Sequence, residues 1–144
     1  MNAKGVLAGI CLFLSHAVFS MNAELAHQLI IEQSPELLGE GDQLVSVYYF
    51  GQSESMTVVG LERVSDDFLP IRWLVIIKNK SVLGWYYPSD EFPVRFDNGR
   101  LSFPKGSGIS DVNLLPLPPM VIDHTDHQIP FYSRRAFSEA SPPN

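Results

Sequence analysis

The sequence predicts a mainly β protein: a single antiparallel β-sandwich or small barrel of about seven to eight short strands, preceded by one short N-terminal helix. Three observations lead there. From residue 43 onward, runs rich in branched and aromatic residues alternate with clusters of Gly, Asn, Asp and Ser. Asn79-Lys80 and Asn98-Gly99 each stand between two such runs, where a two-residue hairpin turn is expected. No internal repeat or coiled-coil heptad competes with this reading.

The first segment is of a different kind. Residues 1–4 carry a single positive side chain, Lys4, and residues 5–14 (GVLAGICLFL) are unbroken apolar sequence. This is the layout of a secretory signal peptide over residues 1–20, with cleavage after Ser20 or after Ala23. A helix of about ten residues spans about 15 Å, whereas a bilayer core takes about 20 residues. Ser15 and His16 break the run where an anchor would continue, so no stable membrane span is expected after cleavage. Cys11 is the only cysteine. Ile10 precedes it, not the small residue that a lipid-attachment site wants, so Cys11 reads as one more apolar residue of the leader. The exported chain would then rest on a hydrophobic core without disulfides, which about 120 residues can supply in one domain. A cysteine-free exported domain with a short leader fits a bacterial envelope, periplasmic or secreted. Sixteen acidic residues against ten basic ones give a net charge of −6, and the basic residues are scattered apart from Arg134-Arg135. Nucleic acid and anionic lipid surfaces, which need a positive patch, are poor partners for such a chain.

The elements follow in order. Residues 22–33 (NAELAHQLIIEQ) form a helix capped by Asn22, with Leu25, Leu29 and Glu32 on one face and Pro35 as its stop. Gly39 and Gly41 mark a linker. Residues 43–50 (QLVSVYYF) and 56–64 (MTVVGLERV) are strands joined by a hairpin over residues 51–55, and Ser65-Asp66-Asp67 turns the chain. Residues 71–78 and 81–87 are the strongest pair. Counting outward from Asn79-Lys80 sets Ile77 opposite Val82, Val75 opposite Gly84 and Trp73 opposite Tyr86 on one face. Ile76 then faces Leu83, Leu74 faces Trp85 and Arg72 faces Tyr87 on the other. Both faces are apolar, so this hairpin is central and covered on both sides, with the rings of Trp73 and Tyr86 over Gly84. Residues 93–97 and 100–104 make a second hairpin around Asn98-Gly99. Phe96 and Leu101, and Val94 and Phe103, face inward there, while Arg95 and Ser102 face out. Residues 105–110 (KGSGIS) are a loop. Residues 112–115 and 120–122 are short apolar pieces split by Pro116, Pro118 and Pro119, which belong at an edge or in an extended crossing. Residues 123–127 read as a polar loop after the last strand. One β-rich domain thus covers residues 24–137, and residues 138–144 (SEASPPN) read as a disordered tail.

Two groups of side chains are candidates for binding. Tyr48, Tyr49, Trp73, Trp85, Tyr86 and Tyr87 concentrate in the central strands. Most of these rings, Trp73 among them, are needed by the core. Trp85 and Tyr87, with Arg72 able to stack beside them, form the candidate platform for a sugar or another small ligand. Asp123-His124-Thr125-Asp126-His127 is the densest group of metal-ligand types, and imidazole with carboxylate suits zinc, copper or nickel. Asp123, His124, Asp126 and His127 are its candidate ligands; in a turn the two histidines would converge, although no further ligand stands out nearby.

No catalytic constellation survives. Asp66-Asp67 and Asp90-Glu91 are carboxylate neighbours in turn segments. Residues 51–55 (GQSES) lack the final glycine of a nucleophile elbow, and Lys105-Gly106-Ser107-Gly108 lacks the spacing of a phosphate loop. No cofactor is expected. The sequence therefore points to an exported, non-enzymatic accessory or binding protein of the bacterial cell envelope. Its partner would be another envelope protein docking on an open strand edge near the prolines. Carbohydrate or small-ligand binding by exposed aromatics, and metal binding centred on residues 123–127, are the alternatives.

Overall fold

The computed structural model describes residues 20–39 and 44–135. The leader expected over residues 1–20, apart from Ser20, and the tail expected over 138–144 lie outside the described residues. No helix among the described residues is long and apolar enough to cross a membrane.

Asn22 caps the first element: its side-chain oxygen accepts a hydrogen bond from the Leu25 N–H at 2.8 Å, opening helix α1 (Ala23–Gln33). Such a cap satisfies an end donor that has no partner within the helix. The buried stripe of α1 is Ala26, Leu29 and Ile30. Leu25 is half-buried and Glu32 exposed, so the face is rotated from the one expected. Pro35 ends the helix and opens a 3-10 turn (Pro35–Leu38) that buries Leu37.

Nine strands follow among the described residues: β1 (Val45–Ser53), β2 (Met56–Val64), β3 (Pro70–Lys78), β4 (Ser81–Tyr86), β5 (Arg95–Asp97), β6 (Arg100–Ser102), β7 (Val112–Asn113), β8 (Val121–Asp123) and β9 (Gln128–Ser133). All pairings are antiparallel. They build a six-stranded sheet in the order β1-β2-β3-β4-β9-β8 and a three-stranded sheet in the order β5-β6-β7. The large sheet is open, with β1 and β8 at its edges, so the architecture is sandwich-like.

Each face of the large sheet carries its own core. On one side Val59, Leu61, Trp73, Val75, Ile77, Val82 and Trp85 pack under α1 and the 3-10 turn. On the other, Val58, Leu74, Ile76, Tyr86 and Ile129 pack under Phe96, Leu101 and Leu114, contributed by the small sheet and its following loop. Cover on both faces is what the apolar β3–β4 hairpin demanded. Each large side chain so buried contributes about 1.5–3 kcal/mol.

The turns behave as their residues require. Asn79 and Lys80 have φ of 49° and 60°, and Asn98 and Gly99 have 49° and 72°, the left-handed pairs of a tight hairpin turn. Phe96 pairs with Leu101 and Arg95 with Ser102, as counting from Asn98-Gly99 gives. Val94 departs from expectation: β5 begins at Arg95, two residues later than expected, and Val94 is exposed instead of facing inward beside Phe103.

Two larger differences concern the central sheet. Ile77 pairs with Val82 as expected, but Ile76 pairs with Gly84, Val75 with Trp85 and Leu74 with Tyr86. Leu83 is an extra residue in β4, a bulge that shifts every later pair by one. The pairs Val75–Gly84, Trp73–Tyr86, Ile76–Leu83, Leu74–Trp85 and Arg72–Tyr87 are therefore not formed. The ring over Gly84 is that of Phe131, itself 5.0 Å from the Tyr86 ring. The second difference is β9. Asp123 closes β8, and residues 124–127 are not the end of the β structure but the turn into this further strand, which lies between β4 and β8.

Candidate functional site

The β4 bulge decides which aromatic side chains share a face. In the regular register Trp85 and Tyr87 would point away from Trp73. With Leu83 inserted, Trp85 lies beside Val75 and joins Trp73 on the helix-covered side. Tyr87, two residues beyond Trp85, returns to that side and stacks on Trp73, with centroids 5.3 Å apart and planes 21° apart. Tyr132 of β9 is the cross-strand partner of Trp85 and so lies on the same face. The 3-10 turn supplies Glu36 and Leu37 from above.

Together Glu36, Leu37, Trp73, Trp85, Tyr87 and Tyr132 line a cavity of about 400 Å³. Trp73 and Trp85 are 7% and 3% exposed, so they present edges and form the floor; Tyr132, at 43%, offers an open ring. The guanidinium of Arg63 lies 5.0 Å from the centroid of the Trp73 ring. Among the described residues its Nε is buried with no hydrogen-bond partner, and the negative ring face compensates that group. Glu36 is the only carboxylate of the lining among the described residues, which contribute no histidine, serine or cysteine to it. The arrangement can stack and can accept hydrogen bonds; it offers no nucleophile paired with a base.

Of the three candidate ligand residues, the structure unites Trp85 and Tyr87 and separates Arg72. Arg72 alternates with Trp73 along β3 and projects from the opposite face. There its Nε donates to Glu62 Oε2 at 2.6 Å, its Nη1 donates to the Asp90 carbonyl oxygen at 2.9 Å, and the Phe92 ring lies 5.6 Å away. Arg72 thus clamps the segment after β4 and takes no part in the cavity. Trp73, read from sequence as core, is both core and cavity floor. Tyr132 was not anticipated. Pro130 hid its strand, because a proline within a run argues against a central strand. Here Phe131, not Pro130, pairs with the last residue of β4, and the Pro130 carbonyl oxygen accepts the Tyr87 N–H at 3.3 Å.

Of the candidate metal ligands, Asp123 ends β8 and His124, Asp126 and His127 lie in the β8–β9 turn. The rings of His124 and His127 do converge, stacked with centroids 4.4 Å apart. Their remaining contacts are structural. His124 Nδ1 accepts the Asp126 N–H at 3.1 Å, Asp123 Oδ1 accepts from the Gln128 side chain at 2.9 Å, and His127 Nε2 lies 3.4 Å from Asp90 Oδ2. No group of three or more His, Cys, Asp or Glu among the described residues could hold a metal ion.

Comparison of the chain with protein families, with curated proteins and with solved structures finds no match.

Proposed function

We propose that this chain is an exported, non-catalytic binding module that takes a small ligand with an apolar face, of which a neutral sugar ring is the leading class, in the aromatic cavity. One observation carries the reading: Trp73 of β3, Trp85 of β4, Tyr87 just beyond β4 and Tyr132 of β9, with one carboxylate from the 3-10 turn, converge on about 400 Å³. Small-ligand sites are commonly mostly apolar clefts of about 300–1,000 Å³ with a few polar groups that set orientation. A pyranose fits that chemistry. Its C–H face stacks on an aromatic ring such as Tyr132, and its hydroxyl edge donates to Glu36. Export rests on the leader-like pattern of residues 1–20. Titration of the protein with a panel of neutral oligosaccharides, followed by tryptophan emission, tests the reading. A saturable change with at least one of them supports it, and emission unchanged across the panel removes it.

A second reading has its own observation. The first half of edge strand β1, Val45–Tyr49, carries no charged residue or proline, two of the devices that keep an edge from pairing; a bulge follows between Tyr49 and Gly51, where β5 lies against the strand. An envelope protein could add an extended segment there. This moves the expected docking edge from the proline-flanked pieces to the other side of the sheet. A partner retained from envelope extract by the native protein and lost by Tyr49→Lys would support it; repeated recovery of no partner would count against it.

A further inference from the structure

A second cavity, chemically unlike the first, lies between the start of β4 and the end of β9. It measures about 310 Å³ and is lined by Ser81, Val82, Leu83, Ser133, Arg134 and Arg135. Arg134-Arg135 is the only adjacent basic pair in a chain of net charge −6. Among the described residues no carboxylate lines this cavity. Arg134 makes no ion pair among the described residues; its Nη1 donates one long hydrogen bond, 3.3 Å, to the Gln33 carbonyl oxygen. A guanidinium carries five N–H donors, so most of those on Arg134 have no acceptor among the described residues.

We propose that this cavity binds the phosphate group of a phosphate monoester. The planar guanidinium fork matches two phosphate oxygens at once, which an ammonium cannot do. The hydroxyls of Ser81 and Ser133 supply further donors to the remaining oxygens, and half-buried Leu83 gives an apolar contact for the carbon side of the ester. The site is independent of the aromatic cavity.

The same phosphate chemistry is available from a soluble ester or from a lipid headgroup, and the test separates them. Inorganic phosphate is titrated into the ¹⁵N-labelled protein at low ionic strength, and the amide shifts are followed. The expected result is saturable movement of Ser81, Leu83, Ser133 and Arg134. Affinity falls at least tenfold in Arg134→Gln/Arg135→Gln and is partly retained in Arg134→Lys, which keeps the charge and the fold. Movement scattered over Lys78, Arg95 and Lys105 and unchanged in the double variant would overturn the proposal, as would the lack of any saturable movement. A parallel arm uses vesicles of phosphatidylcholine with and without phosphatidic acid. Retention on the phosphatidic acid vesicles, lost in the double variant, identifies a headgroup as the source; phosphate binding without retention identifies a soluble ester.

Discussion

The backbone of Gly84 runs so close to Tyr132 that a Cβ at position 84 would overlap the Tyr132 carbonyl oxygen and stand 2.7 Å from Phe131 Cζ. This close approach seats β9 against the bulged half of β4, and with it the Trp85–Tyr132 pair. Gly84→Ala must therefore push the two strands apart. It should destabilise the protein by about 3 kcal/mol, the upper range for overpacking, as read by urea unfolding.

Gln33 ties the end of α1 to the β3–β4 turn with both ends of its amide. Its Oε1 accepts the Val82 N–H and its Nε2 donates to the Lys80 carbonyl oxygen, each at 2.8 Å. Gln33→Ala leaves a half-buried N–H unpaired and should cost about 2 kcal/mol. Amide hydrogen exchange at Val82 should quicken more than at Ile77, which the substitution does not touch.

Tyr132 should separate binding from stability. Its ring is 43% exposed, so Tyr132→Ala should change unfolding free energy by less than about 1 kcal/mol. The loss of one stacking face should still weaken binding of any sugar that the cavity takes by about tenfold. Equal affinity in the variant, measured by calorimetry, would remove Tyr132 from the site.

Tyr86 gives the fold an alkaline limit. Its hydroxyl donates to the Pro119 carbonyl oxygen at 2.6 Å, fastening the proline-rich crossing to the sheet. Burial pushes its phenol well above the ordinary tyrosine value of 10.0. Above about pH 10 the unfolded chain loses this proton while the folded chain keeps it, so stability falls as pH rises, by up to about 1.4 kcal/mol per pH unit from this group. Below that pH the group adds no slope. Tyr86→Phe should cost about 1 kcal/mol at neutral pH and should lessen the alkaline slope in pH-dependent unfolding.

The local elements were legible because their causes are local. Asn22, Asn79-Lys80 and Asn98-Gly99 announce their cap and turns in the side chains themselves, and the two apolar faces of residues 71–87 announce a covered hairpin. What was not legible depends on partners distant in sequence. The extra residue Leu83 is accommodated where Gly84 meets Tyr132, some fifty residues further along the chain by their numbering; the mark within β4 is Gly84 itself, since a strand glycine accompanies a bulge or a close backbone approach, but it does not by itself set the register. Counting from the turn therefore placed Trp85 and Tyr87 with Arg72, whereas the shifted register places them with Trp73. Pro130 concealed β9 in the same way, since its tolerance depends on where β4 stops. The candidate site was half visible for that reason: its aromatic composition could be read, but its membership turned on one inserted residue.

The most direct test of this account is the side-chain nuclear Overhauser spectrum of the protein, read at the Trp85 indole. The account predicts cross-peaks from Trp85 to Val75, Leu37 and Tyr132 on the helix-covered face. Cross-peaks from Trp85 to Phe96 and Leu101, on the opposite face, would mean that β4 runs without its bulge and that the aromatic cavity does not form.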